Sequence, residues 1–105
     1  MARVHVTPGV CGFSTRITAQ ADAAYNVALE IESDCKLVSV LAATLTQVSA
    51  FEEVSPPLTG TATYRAAAEH KLHCACPVPS AIIKAVEVAA GLALPADIHM
   101  EISKD

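Results

Sequence analysis

The spacing of apolar residues changes once along this chain, and that change restricts the fold more than any other feature. From Arg3 to Thr7 the residues alternate, with Val4 and Val6 on one face. Phe13, Thr15, Ile17 and Ala19 then share a face opposite Ser14, Arg16 and Thr18, and after a polar turn around Asp22 the pattern resumes as Tyr25, Val27, Leu29 and Ile31. A repeat of two belongs to strands with one wet face. Past Ser33-Asp34 the apolar positions become Leu37, Val40, Leu41, Thr44, Leu45 and Val48, the three-and-four spacing of an amphipathic helix. Strands therefore come first and helices after.

Punctuation sharpens this order. Pro8-Gly9 separates the first strand from the hairpin that follows it. Ser33-Asp34 offers an N-cap to a first helix running from about Asp34 to Ser49. The stretch Phe51 to Gly60 contains Pro56-Pro57 and reads as a loop, because proline removes a donor and collides with the preceding turn. A second helix is expected from roughly Thr61 to His73. Pro77 and Pro79 suit the opening of a third helix, whose apolar positions are Ile82, Ile83, Val86 and Ala90 and whose C-cap is Gly91. After Leu94-Pro95 a last alternating strand places Ile98, Met100 and Ile102 inward and His99 and Glu101 outward. The expected architecture is α+β, a two-layer sandwich. A mixed four-stranded sheet, with elements in the order β-β-β-α-α-α-β, carries its helices on one face.

Residues 1–105 fit one domain, a length at which a single core suffices. The composition is 52% apolar but only 4% aromatic, without tryptophan, so that core has to be built from Ala, Val, Leu and Ile. The net charge is −4 with seven scattered Lys and Arg, which lacks the basic footprint that phosphate backbones require and sets nucleic acid aside. No stretch approaches the roughly eighteen continuous apolar residues of a membrane span. The start MARVHVTPGV has no basic leader followed by an apolar run. A cytoplasmic protein is expected, and there four cysteines read better as thiols or metal ligands than as two disulfides.

Chemistry concentrates between Glu69 and Ser80, where EHKLHCACPVPS gathers two histidines, two cysteines and two prolines in twelve positions. If successive elements alternate in direction, as short connections favour, Cys11 and Cys35 return to the same end of the fold as His70, His73, Cys74 and Cys76. Cys35 and Cys76 lie at expected helix N-termini, where unpaired N–H groups and the positive end of the dipole stabilise a thiolate. Taken singly, each cysteine is equally well explained as buried apolar filler. His70 and His73 share a helix face, or else simply end a helix whose last carbonyls favour a partly cationic imidazole. Cys74 and Cys76 form Cys-x-Cys rather than the Cys-x2-Cys of zinc knuckles. Even so, Cys11, Cys35, Cys74 and Cys76, or three of them with an imidazole from His70 or His73, suffice for tetrahedral zinc or an iron–sulfur cluster. His5 and His99 read as surface or helix-packing residues, and Glu30, Glu32, Glu52 and Glu53 as solvated face. No phosphate loop, serine elbow or carboxylate pair is present.

The phrases VCGFSTRI, IESDC and HCACPVPSAIIKAVEVAAGLALP resemble those of a family of small uncharacterised proteins from anaerobic bacteria and archaea. That resemblance covers nearly the whole chain and implies no activity. It places Cys11, Cys35 and Cys76 in recurring phrases and Cys74 less clearly so. Cys76-Pro77-x-Pro79 is also similar to the Cys-Pro-x-Pro element of TusA-like sulfur carriers, whose cysteine carries a persulfide. Here the likeness covers about a quarter of the chain, and those carriers have the element near their N-terminus. Three readings follow: a metal-binding cysteine cluster, a thiol or persulfide protein using Cys76, and a structural or interaction domain. An open sheet edge also allows pairing with a second copy.

Overall fold

The computed structural model describes residues 1–105. Three strands open the chain as a meander, β1 (Ala2–Val6), β2 (Thr15–Ala21) and β3 (Asn26–Ser33). Helix α1 (Lys36–Thr44) leads into a short β4 (Gln47–Ser49), then α2 (Ala50–Val54) and, after a single 3-10 turn at Leu58–Gly60, α3 (Ala62–Glu69) and α4 (Val78–Ala89). The sheet order is β1-β2-β3-β4, every pair antiparallel. The α+β class, the four-stranded sheet and its helical cover agree with the sequence pattern.

Alternation sets the register. Val4 pairs with Ile17 and Ile17 with Ile31, while His5 faces Arg16 and Arg16 faces Glu32 on the opposite side. Ala2, Val6, Thr15, Ile17, Ala19, Val27 and Leu29 are buried beneath the helices, whereas Arg3, His5, Arg16, Gln20, Glu30 and Glu32 stand in solvent. A one-residue slip would exchange the two sets, so burial on one face fixes the pairing. Helix α4 lies over β1 and β2 and α1 over β3. Their inward residues Val38, Leu41, Val78, Ile82 and Val86 complete a core without a single aromatic ring.

The sheet departs from expectation at its fourth strand. It is antiparallel rather than mixed, and its last member is Gln47–Ser49 instead of the segment around Met100. The helix expected to reach Ser49 stops at Thr44. Thr44 Oγ1 turns back to donate to the Leu41 carbonyl at 3.0 Å, and the Leu29 N–H donates to the Thr46 carbonyl at 2.8 Å. Leu45 and Val48 are buried, and β-branched Thr46 and Val48 at alternate positions favour the strand. The segment 98–102 makes no sheet pairing and is exposed throughout.

Two helix ends show how local chemistry stops a helix. After α4, Gly91 takes φ +75° and the Leu92 N–H reaches the Glu87 carbonyl at 2.8 Å, the left-handed ending that glycine favours. After α3 the same arrangement is made by Lys71 at φ +58°, with the Leu72 N–H bonded to the Ala67 carbonyl.

The β2–β3 turn is organised by Asp22, whose carboxylate accepts the backbone N–H groups of Ala24 and Asn26 at 2.8 and 3.0 Å. The Asn26 N–H, with smaller help from Ala24 and from the Asn26 side chain, holds the Asp22 carboxyl below its ordinary value of 3.8. A carboxylate favoured by the folded chain contributes fully above the unfolded value and loses its contribution as pH falls through the lower folded one. Acid titration of stability is therefore expected to be shallower below about pH 4 for Asp22→Asn than for the parent. Urea midpoints followed by circular dichroism measure this. An unchanged profile would show that the turn does not depend on this charge.

Candidate thiol site

Each cysteine owes its setting to a different local device. Cys11 lies in the β1–β2 connection, in a turn closed by the Gly12 N–H on the Gly9 carbonyl at 3.0 Å, and is exposed beside the fully exposed Val10. Cys35 is the N-cap of α1. Its N–H donates to Ser33 Oγ at 3.0 Å, its carbonyl receives the Ser39 N–H at 2.9 Å, and its half-buried side chain rests against the core. Serine, threonine or aspartate ordinarily supplies an oxygen to the first-turn N–H groups at this position. Cys35 leaves them without a side-chain acceptor.

Cys74 and Cys76 belong to the link between α3 and α4. The Cys76 N–H donates to the His73 carbonyl at 3.1 Å, which folds residues 73–76 into a turn. Cys74 is exposed, while Cys76 is half-buried and packs on the core. Pro77 follows as the N-cap of α4, with Pro79 inside the first turn. That turn holds no acidic residue and receives no side-chain cap. Because Pro79 has no N–H, the Val78 and Ser80 N–H groups are the donors facing this end of the helix.

The histidines do not join these thiols in one shell. His70 caps the C-terminus of α3, with Nε2 standing 3.4 Å from Oγ1 of Thr44, the last residue of α1. Cys35 marks the opposite end of α1, whose nine residues rise 1.5 Å each, so about 13 Å of helix separates the two ends. His73 is exposed. Across the molecule no group of three or more His, Cys, Asp or Glu side chains is assembled in a way able to hold a metal ion. The shell expected of Cys11, Cys35, Cys74, Cys76 and His73 is thus not formed. All four cysteines are free thiols, and no helix is long and apolar enough to cross a membrane.

One residue read as solvated face has a different role. Glu53 is only 3% exposed. One carboxylate oxygen accepts the Ala62 N–H at 2.9 Å, and the other accepts both the N–H and the hydroxyl of Thr63. Thr61 Oγ1 takes the Tyr64 N–H at 3.1 Å, so every N–H of the first turn of α3 has an acceptor. Glu53 fastens α2 to α3. Glu52, its neighbour, is exposed as expected.

Among curated proteins and among solved structures, none matches the chain. The model of a family of unknown function, DUF6951, matches residues 2–102. The chain therefore belongs to that family.

Proposed function

We propose that this member of DUF6951 is a thiol protein whose working sulfur is Cys76. The observation that carries the reading is the mouth of α4. A free, half-buried thiol stands one residue before the N-cap of a twelve-residue helix with no acidic residue and no side-chain acceptor in its first turn. Unpaired N–H groups and the dipole at such an end favour a negative charge held beside it. The similarity of Cys76-Pro77-Val78-Pro79 to the persulfide-bearing element of TusA-like carriers points the same way. Free thiols persist in reducing compartments, and cytoplasmic placement belongs to this reading.

The step is a sulfur transfer. The Cys76 thiolate attacks the outer sulfur of a persulfide or polysulfide donor. Its new S–S bond forms as the donor's bond to that sulfur breaks, and the donor leaves as a thiolate or, from an inorganic polysulfide, as the polysulfide anion one sulfur shorter. An acceptor nucleophile then attacks the outer sulfur of the Cys76 persulfide and returns Cys76 as thiolate. No net oxidant is consumed between donor and acceptor.

Incubation with inorganic polysulfide, followed by peptide mass mapping, is the test. Cys76 is expected to gain one sulfur before the more exposed Cys74, and Cys76→Ser to abolish the adduct while Cys74→Ser retains it. Modification in order of exposure, with Cys74 and Cys11 first, would remove the proposal. So would a stoichiometric zinc or iron content lost in Cys76→Ser, because it would make Cys76 a ligand instead.

A further inference from the structure

The sheet has two free edges, and the chain carries one unpaired strand-like segment. β1 pairs only with β2 along its full length. On the other side β4 covers just Asn26–Ala28 of β3, leaving Glu30–Ser33 open. The segment Asp97–Ile102 alternates apolar Ile98, Met100 and Ile102 with polar Asp97, His99 and Glu101. Its three apolar side chains are 58%, 73% and 92% exposed. No residue from Ala93 onward hydrogen-bonds to the body, and the one polar contact is His99 Nε2 to Glu101 Oε1 at 3.5 Å within the segment itself. Alternating apolar residues in solvent have the pattern of a strand without its partner.

Charge selects the edge. On the solvent face of the sheet, β1 presents Arg3 and His5, with Arg16 beside His5, whereas the open part of β3 presents Glu30 and Glu32. An incoming strand bearing Asp97, His99 and Glu101 on that face, a net acidic set, is repelled by the β3 edge and attracted by Arg3 and Arg16 at β1, since opposite charges on adjacent strands stabilise and like charges do not. The other face fits as well. An antiparallel register that sets Glu101 opposite Arg3 sets Met100 opposite Val4, which the bare edge leaves half-buried, and Ile98 opposite Val6.

We propose that Asp97–Ile102 of one copy adds as a fifth strand to the β1 edge of a second copy, the two copies exchanging segments about a two-fold axis. The occupant is a second copy because one chain carries both halves of the match, the acidic alternating segment and the basic β1 edge, and the segment stands away from its own body. Every residue from Leu94 to Asp105 is exposed, and the molecule extends 48 Å along one axis against 27 and 25 Å along the others. Reciprocal exchange pairs both β1 edges in a closed dimer and covers the apolar residues of both segments.

Sedimentation velocity on the intact chain tests this. A dimer is expected at micromolar concentration. The variant I98D/M100D/I102D, altered outside the packed body, is expected to raise the dissociation constant more than about 100-fold, from the apolar burial lost. Arg3→Glu is expected to weaken the dimer, and adding Glu101→Arg to restore it. A monomeric intact chain overturns the proposal, whether the segment closes on its own sheet or serves another protein. A dimer that survives the triple substitution, or a charge swap without rescue, overturns it equally.

Discussion

Replacing Glu53 by alanine is expected to cost about 3–5 kcal/mol of folding stability, among the largest effects any single substitution in this chain should have. The cost lies in the donors left behind. The carboxylate accepts the Ala62 N–H, the Thr63 N–H and the Thr63 hydroxyl, and Thr63 is fully buried. Each buried donor stripped of its acceptor costs about 1–3 kcal/mol, and the first turn of α3 also loses an anion that complements its dipole. Set against a typical domain stability of about 5–15 kcal/mol, this is a large fraction. Glu53→Gln keeps one acceptor oxygen and is expected to fall between parent and alanine. Equilibrium urea denaturation measures both. A loss below about 1 kcal/mol for Glu53→Ala would mean that water replaces the carboxylate at little cost, as at an exposed cap.

Ile82→Ala is expected to cost about 3–5 kcal/mol, the upper part of the range for removing a large buried aliphatic side chain. Ile82 is fully buried on the inward face of α4, and α4 is the cover of β1 and β2. The size of the penalty depends on whether neighbours can move into the space left. Six alanines and six valines make up most of the 17 core residues. Alanine has no side-chain torsion to adjust and valine is held near one rotamer, so the hole persists. Ile82→Val, which removes one methyl group, is expected to cost about 0.5–1.5 kcal/mol. Urea midpoints at unchanged m-value are the readout. Equal losses for the two variants would show that the core relaxes around the defect.

The same residues show what can be read from one dimension. Thr15, Ile17 and Ala19 and then Val27 and Leu29 are buried as their alternation requires, because a one-sided sheet imposes its period directly on the chain. Helix α4 was legible at both ends, from Pro77 and Pro79 to Gly91, since those residues act within one turn. Glu53 was not. Its partners lie nine and ten residues away beyond Pro56-Pro57, and an acidic pair looks wet unless the facing N–H groups are known. The one local hint was Thr61-x-Thr63, an N-cap with a second hydroxyl beside it.

The thiol cluster failed to assemble for a related reason. Counting elements up and down assigns each cysteine an end only if every element is counted. Helix α1 ends five residues early and an extra short helix, α2, follows it, so the direction assigned to every later element loses its basis. His70 accordingly meets Thr44 rather than the Cys35 end of α1. The segment around Met100 is the converse case. Its alternation is plain in the sequence, but pairing is a property of two edges, and local pattern does not say whose.

Helix α4 shields strands made long before it. β3 ends at Ser33 and α4 begins at Val78, so at about 5–20 residues per second a ribosome needs roughly 2–9 s to synthesise the intervening stretch. During that interval the inward side of β1 and β2 lacks the helix that later covers it, so Val6, Ile17 and Ala19 stay open to water until the last quarter of the chain is made.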